Sequence, residues 1–506
     1  MTWSYDESYE RVQQHLDGMG EIEIEPLVRE MDLENLSETR CRDIFGAHVY
    51  GEIANGSALV STMTTKVERQ RLVQAVHVYQ REVARIADAV GAKRVHFQGG
   101  RAHLLIYRPI QNAEKIAAKA VLLQMILDRY GVVFSGEFAD LPDVRIRSGA
   151  DIGQAIGTRN GIRGDRELLF LGAPANHAAK LLNEGADRRL TDAIREALPD
   201  DLAAFVEADE GRFKLRRPSV PELEELLNAY GIEWSTDDAA DWLADDLEQF
   251  PADKVGLWGA SERIDFDELS FTNSKLIEAA TLYGDVSGFT AYIDGADNQD
   301  DQREALRAFH AIRLEMARVV KDDHDGVRVQ YQGDRVQALF HLPQDDASGF
   351  SSEAVSAAVG LQSSFELVLK ILLPQISALG IAVGVSQGTT IATKLGERAH
   401  RDRICLGVDV LRAEQNEERV GKRQIGISGN VRDNLPEVVA KQFEWDAAKN
   451  CYVATGLTQD KLDLAKSARG YAEGKSAFIK ETDTGPVVTT RPGQGREVKP
   501  APSWSR

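Results

Sequence analysis

The chain has 506 residues, enough for roughly two to four domains, and a hydrophobic share of 43% that is ordinary for globular protein. Its 80 acidic and 60 basic residues give a net charge of −20, which argues against nonspecific nucleic-acid binding and against attraction to anionic membranes. Neither a signal peptide nor a run of 18 apolar residues is visible. We therefore expect a cytoplasmic protein with neither a nucleic-acid nor a membrane partner.

Five regions follow one another along the chain. Residues 1–40 are acidic and helical in pattern, which predicts an N-terminal segment that packs on another part of the protein. Residues 41–217 and 271–460 each contain a strand, a helix, a hairpin, a helix and a strand, and residues 218–270 between them predict an acidic helical connector on the surface. Residues 461–506 lack apolar periodicity, which indicates a disordered tail.

The two longer regions are repeats of one another. Tyr50-Gly51-Glu52 in the first repeat matches Tyr283-Gly284-Asp285 in the second at an offset of 233 residues. Three further pairs keep an offset of 234 or 235 residues: Gly100 with Asp334, Gly149 with Gly384, and Gly172 with Gly407. Matches that hold one register over such a length indicate a tandem duplication. The order of elements in each repeat predicts an α+β, ferredoxin-like antiparallel sheet with helices on one face.

Two carboxylates of the second repeat stand at strand ends. Asp285 follows the apolar run 279–282 and precedes a Ser-Gly turn, and Asp334 lies at the tip of a hairpin of alternating apolar and polar residues. Carboxylates on neighbouring strand ends can hold two divalent ions roughly 3.5–4 Å apart, as in-line phosphoryl transfer requires. The first repeat has Glu52 and Gly100 at these positions, so it cannot form the two-acid site.

After the matched glycines Gly172 and Gly407, it is the first repeat that has the polar residues and the second that lacks them. In the first repeat Asn176 and Lys180 are four residues apart, so an amide and a cation project from one face of a predicted helix. The second repeat has Leu411 and Gln415 at these positions. Neither repeat is complete alone, whereas two repeats facing head to tail would supply one composite site.

Together these residues resemble the class III nucleotide cyclases. The resemblance rests on the stretch 285–290, the hairpin Gly333-Asp334 and the helix that contains Asn176 and Lys180, and it covers roughly residues 41–215 and 275–455. That family makes 3′,5′-cyclic nucleotides from nucleoside triphosphates where two such domains meet. The resemblance implies two tandem cyclase domains that form an intramolecular pseudodimer, which we expect to be monomeric.

The resemblance also implies a role for each site residue. Asp285 and Asp334 would hold two Mn²⁺ or Mg²⁺ ions, with help from the Val286 carbonyl. Asn176 would orient the ribose. Lys180 would replace the family's arginine at the α-phosphate, without the bidentate fork of a guanidinium.

The basic stretch 395–403 supplies candidates for the other phosphates. Arg398 and Arg401 could bind the β- and γ-phosphates of a nucleoside triphosphate. The alternative is that this stretch is a solvated loop.

The base-reading positions of the first repeat hold His96 and Leu169. The family's adenine readers carry Lys and Asp at these positions, and its guanine readers tend to carry Glu and Cys. Leu169 cannot hydrogen-bond a purine edge, so neither purine code is present. Tyr50 would add bulk and a hydroxyl near the nucleotide, which favours a pyrimidine, and we include Phe97, next to His96, among the nucleotide-binding candidates.

The chain further resembles pyrimidine cyclases of the bacterial anti-phage Pycsar type. That resemblance implies a uridylate cyclase that turns UTP, with CTP as a near neighbour, into a cyclic nucleotide, and an effector that binds the product in antiviral defence. Two alternatives remain open. The chain could be an adenylate or guanylate cyclase with base contacts elsewhere, or an inactive cyclase pair that senses a ligand.

Overall fold

The structure is a computed structural model, and it describes residues 2–54, 56–141, 145–160, 167–183, 188–209, 211–296, 298–397 and 400–467. Residues 1–459 form one compact unit, and residues 460–506 form a second. Of the predicted tail 461–506, residues 468–506 lie outside the described residues.

The first part of the chain contains nine strands and nine helices within the described residues. The strands are β1 (Glu23–Pro26), β2 (Arg40–Ile53), β3 (Lys93–Gln98), β4 (Arg101–Ile106), β5 (Ile146–Asn160), β6 (Glu167–Leu171), β7 (Arg188–Leu190), β8 (Val206–Asp209) and β9 (Arg212–Leu215). The helices are α1 (Tyr5–Gly18), α2 (Gly56–Thr62), α3 (Lys66–Val90), α4 (Ala113–Glu137), α5 (Ala173–Leu181), α6 (Asp192–Ala197), α7 (Asp200–Ala203), α8 (Val220–Ala229) and α9 (Thr236–Gln249).

The second part repeats this sequence of elements. Its strands are β10 (Leu257–Trp258), β11 (Ser274–Ser287), β12 (Val327–Gln332), β13 (Arg335–Phe340), β14 (Gly380–Glu397), β15 (His400–Leu406), β16 (Gln424–Ile427), β17 (Glu444–Asp446) and β18 (Cys451–Thr455). Its helices are α10 (Phe289–Asp294), α11 (Gln299–Arg318), α12 (Ala347–Ser364), α13 (Lys370–Leu372), α14 (Val408–Arg419), α15 (Gly429–Asp433) and α16 (Glu437–Ala440). Two π-helical turns, Val319–Asp323 and Phe365–Leu369, and three 3-10 turns, Ala252–Lys254, Phe266–Glu268 and Pro374–Ile376, complete it.

Both halves have the same sheet topology. The strand order is β3-β4-β2-β5-β7-β9-β8 in the first sheet and β12-β13-β11-β14-β16-β18-β17 in the second, with β1 and β6, or β10 and β15, pairing beside the path. In each sheet the four strands of the predicted unit lie in the ferredoxin-like order and pair antiparallel. The predicted tandem α+β pseudodimer is therefore confirmed.

The pleat of each central strand separates a core face from a site face. Val49 on β2 packs in the main core against α3 and α4, whose buried residues are mostly apolar. Its neighbour Tyr50 points the other way and packs against α5, because successive side chains of a strand alternate between faces.

The N-terminal segment packs on the second repeat. Arg11 on α1 donates to Glu315 of α11 at 2.7 Å and to Asp323 of the following π turn at 2.6 Å. Ser8 donates to the same Glu315 at 2.6 Å. The strand β1 that follows pairs with β2 of the first repeat, so the segment binds both halves.

The connector is less exposed than its composition predicts. Leu243 on α9 and Trp234 before it belong to the core of the first repeat. Asp246, which is 1% exposed, accepts hydrogen bonds from Arg81 and Arg85 of α3 at 2.9 and 3.0 Å. The exposed faces of α8 and α9 are acidic, and an apolar stripe beneath them packs on the first repeat.

One helical run, Ala347–Leu372, has the length and apolar composition of a membrane span. However, 67% of its most apolar part is buried inside the fold. It lies against β11 and β14, as the core helix of a soluble protein does.

Candidate functional site

The two acids of the second repeat lie at the same end of its sheet. Asp285 is near the end of β11, and Asp334 follows Gly333 in the two-residue turn between β12 and β13. Gly333 has a φ of 70°, which a side chain would strain. Val286, whose carbonyl the sequence assigns to the metal, has a buried side chain.

The structure brings the two carboxylates close enough to influence each other. Burial raises the pKa of Asp334 well above its usual value, and the charge of Asp285 raises it further. Burial also raises the pKa of Asp285, which Arg335 partly offsets. Glu417 of α14 adds a third nearby charge, and burial raises its pKa to about 8 although it pairs with Arg335 at 2.9 Å.

The two acids could bind a divalent ion whose remaining ligands are phosphate oxygens and water. Neither the Asp285 nor the Asp334 carboxylate forms a hydrogen bond or ion pair with another described residue, apart from a bond between the Asp334 carboxylate and its own backbone. In the part of the chain that the structure describes, no group of three or more His, Cys, Asp or Glu side chains could hold a metal. Mg²⁺ in nucleotide sites is commonly held by one or two carboxylates, with phosphates and water completing its shell. The donor set fits that pattern.

Asn176 and Lys180 share the outer face of α5. The helix buries Pro174, Ala175, Ala178 and Leu181, so Asn176 is partly buried and Lys180 is exposed. Gly149 on β5 makes this packing possible, because a Cβ there would lie 2.3 Å from the Ala178 carbonyl oxygen. Neither side chain has a hydrogen-bond or ion-pair partner among the described residues.

The two sets of residues come from opposite halves that meet at one interface. Helix α5 of the first repeat contacts α10 of the second. Helix α10 begins at Phe289, four residues after Asp285. No direct bond joins Asn176 or Lys180 to the two acids within the described ranges, so a substrate would have to bridge them.

The base-reading positions line an interface cavity. His96, Leu169 and Arg401 share a cavity of about 590 Å³ with Tyr331 of the second repeat. Burial lowers the pKa of His96 to about 4, so its ring is neutral at physiological pH, and it contacts the side chain of Gln98 at 2.7 Å. Arg401 is exposed, and neither Asp285 nor Asp334 lines this cavity. Arg398 lies outside the described residues.

Tyr50 is held between an imidazole and the site helix. Its ring stacks on His103 with the centroids 4.3 Å apart and packs against Ala178 and Leu182. His48 Nδ1 lies 2.9 Å from His103 Nε2. Burial lowers the pKa of both imidazoles, that of His48 to about 3, so both rings are neutral. The structure thus places Tyr50 beneath α5, on the buried side of the helix that carries Asn176 and Lys180.

The expectation for the Phe97 side chain was wrong. Phe97 is fully buried in the core beneath α3. It follows His96 on β3, and adjacent residues of a strand face opposite sides of the sheet. Its backbone N–H, by contrast, faces the second repeat and donates to Asp402.

The pseudo-symmetric counterpart of the site is sealed by ion pairs. Glu52, at the position of Asp285, accepts from Arg101 at 3.0 Å and pairs with Arg147 at 2.7 Å. These residues line a cavity of about 260 Å³ that also includes Leu411 and Gln415. In the first repeat, the one acid, Glu52, is therefore neutralised by arginines, and the second acid position is a glycine, Gly100.

The sequence did not reveal four charged residues near the acids: Glu167, Arg313, Arg335 and Glu417. Arg335 directly follows Asp334, and its position next to the acid was an available signal. The other three lie far along the chain from their partners, and spacing alone does not indicate them.

Comparison with known proteins places this geometry in context. No protein-family model matches the chain. A crystal structure of a class III adenylyl cyclase-like ATP-binding protein from Pseudomonas aeruginosa superposes with a TM-score of 0.81 at 28% identity, covering 92% of this chain and 99% of that one. The fold is thus that of a class III nucleotide cyclase.

Two curated relatives specify the class more closely. A uridylate cyclase of Pseudomonas aeruginosa is 32% identical over 95% of this chain and 96% of its own length. A uridylate cyclase of a Rhizobium species is 29% identical over 83% and 82%, respectively. The chain belongs to the uridylate cyclase family.

Proposed function

We propose that this protein converts UTP into 3′,5′-cyclic UMP and diphosphate at one site shared by its two repeats. The observation that carries the proposal is the pair Asp285 and Asp334, brought together without protein partners in the repeat that lacks the amide and the cation. The uridine base is inferred from the two relatives named uridylate cyclase.

Each site residue has one task in this reaction. The ribose 3′-hydroxyl gives up its proton to solvent, and its oxygen attacks the α-phosphorus. The new P–O bond closes the ring, and the bond from the α-phosphorus to the oxygen shared with the β-phosphate breaks to release diphosphate. Asn176 orients the ribose so that this oxygen lies in line with the leaving group. Lys180 stabilises the charge that develops on the α-phosphate oxygens.

Asp285 and Asp334 would hold two Mn²⁺ or Mg²⁺ ions, assisted by the Val286 carbonyl. Such ions, when bound, lower the pKa of the attacking hydroxyl and neutralise the triphosphate. Both carboxylates have raised pKa values in the free protein. A cation would relieve their mutual repulsion, and metal binding would therefore release protons.

The base pocket would be formed by the first repeat. His96 and Leu169 line its cavity, and neutral His96 can donate or accept one hydrogen bond. Tyr50 shapes the floor below α5. Arg401, in the same cavity, and Arg398 remain candidates for the phosphates.

Turnover assays with UTP, CTP, ATP and GTP test this function in the presence of Mn²⁺. We expect cyclic UMP as the main product, and we expect Asp285→Asn and Asn176→Ala each to abolish it although they lie in different repeats. Glu52→Gln, which changes the counterpart acid, is the matched control. Exclusive conversion of ATP or GTP would exclude the pyrimidine assignment, and absence of all four products would favour a sensor pair.

The proposed cellular role rests on the resemblance to Pycsar-type cyclases. We propose a cytoplasmic enzyme whose cyclic UMP is a second messenger in anti-phage defence, bound by a separate effector. Cyclic UMP measured in cells with and without phage, for the parent chain and Asp285→Asn, tests it. Equal cyclic UMP before and after infection would contradict this role.

A further inference from the structure

Arg313 on α11 is a fully buried cation that joins the two repeats. Its side chain is 0% exposed. Its Nη1 donates to the Gly333 carbonyl at 2.9 Å, and its Nη2 donates to Glu167 of the first repeat at 2.8 Å. The guanidinium also lies 3.8 Å from the centroid of the Tyr331 ring.

The bond to Gly333 acts on the residue next to the metal acid. Gly333 and Asp334 form the whole turn between β12 and β13. A donor fixed on the Gly333 carbonyl sets the peptide plane that leads into Asp334. A hydrogen bond from a charged donor is stronger than one between neutral groups, so this bond favours one orientation of the peptide.

The bond to Glu167 reaches the half that carries the other site residues. Glu167 begins β6, the strand that contains Leu169 and leads into α5. It also accepts from Arg328 of β12 at 2.9 Å. The Glu167 carboxylate therefore joins the strand before Asn176 to the metal hairpin through two guanidiniums, and of these two the Arg313 guanidinium also binds the Gly333 carbonyl.

The first repeat preserves this geometry without the charge. Gln80, which lies 233 residues before Arg313, donates to the Gly99 carbonyl at 2.9 Å. That carbonyl precedes Gly100, the residue in place of the metal acid. The repeat without an acid thus has a neutral donor, and the repeat with the acid has a buried cation, although burying a cation is costly.

We propose that Arg313, paired with Glu167, is a positioning residue that holds Asp334 in its metal-binding orientation only when the two repeats are docked. The proposal rests on the proposed function, since it takes Asp334 to be a metal ligand. Removing either partner loosens Asp334 and weakens metal binding before it affects nucleotide binding. Residues that orient metal ligands from behind typically change affinity by about 10- to 100-fold.

The test measures metal binding directly in the full-length chain. Mn²⁺ is titrated in the presence of 3′-deoxy-UTP, which cannot be cyclised, and free Mn²⁺ is followed by its electron paramagnetic resonance signal. We expect Arg313→Gln and Glu167→Gln each to raise the Kd for Mn²⁺ by about 10-fold or more. The double variant should lose less affinity than the product of the two single losses, because both substitutions remove the same Arg313–Glu167 bond. Asp334→Ala should abolish high-affinity Mn²⁺ binding, so the signal of free Mn²⁺ should be larger than in the parent chain at each addition.

Gln80→Leu is the matched control, since it removes the equivalent bond in the other repeat. Unchanged Mn²⁺ affinity in Arg313→Gln and Glu167→Gln, with a loss in Asp334→Ala, would overturn the positioning role alone. Unchanged affinity in Asp334→Ala would overturn the metal role itself. An equal loss in Gln80→Leu would indicate general loosening and also reject the proposal. If thermal unfolding shows that Arg313→Gln is not folded, the Mn²⁺ affinity of Glu167→Gln decides whether the proposal holds.

Discussion

At the scale of single residues, Lys180 is the cation that the proposed function assigns to the α-phosphate. It stands where the family resemblance implies an arginine, and its exposed ammonium has no partner among the described residues. An ammonium is a compact charge on a flexible stem, whereas a guanidinium binds phosphate with two parallel hydrogen bonds. Lys180 can therefore neutralise a phosphate without fixing its orientation, which leaves orientation to Asn176 and the metal site.

Replacing Lys180 should affect kcat more than KM. We expect Lys180→Met to lower kcat by about 100-fold or more, because it removes a charge that acts on the transition state. Lys180→Arg should keep most of the activity. Steady-state rates of cyclic UMP formation measure both, with Lys115→Met on the exposed start of α4 as the control. A Lys180→Met variant with parental kcat would remove this residue from the site.

Residues in contiguous motifs were the ones that sequence could predict. Asp285 and Asp334 each stand at a turn, and the alternating strands beside them define where those turns fall. The Phe97 side chain was wrongly predicted to bind the nucleotide because Phe97 is next to His96 in the sequence. Adjacent residues of a strand face opposite sides of the sheet. Arg313 and Glu167 were missed because they are 146 residues apart, and only the folded interface brings them together.

At the scale of elements, α1 shows the same limit. Its periodicity predicted a helix that packs on another part of the protein, but no local pattern indicates a partner 304 residues away. The partner surface includes Glu315, which is 1% exposed, and Asp323, and it contacts both Arg11 and Ser8. The helix therefore neutralises two buried acids of the second repeat from the far end of the chain.

Removing Arg11 should destabilise the fold strongly. Arg11→Met leaves Glu315 and Asp323 buried without their cation, which costs about 3–5 kcal/mol. Arg216→Met breaks the exposed pair with Glu222 and should cost no more than about 1 kcal/mol. Urea unfolding followed by circular dichroism gives both free energies of unfolding. Equal losses in the two variants would show that α1 contributes no special stabilisation.

At the scale of the whole molecule, duplication has produced two interface sites with different contents. One has two acids without protein partners, and the other has Glu52 bound by Arg101 and Arg147. These ion pairs neutralise the Glu52 carboxylate without any ligand. In the proposed function such specialisation requires both kinds of repeat, because each repeat has residues that the other lacks.

This arrangement predicts that two inactive variants cannot rescue each other. Asp285→Asn damages the second repeat and Asn176→Ala the first, so a mixture contains intact copies of both halves on different chains. Because α5 and α10 already meet within one chain, we expect no restored cyclic UMP formation and the mass of a single chain in light scattering. Recovery of activity on mixing, with a dimer in solution, would mean that the site forms between chains.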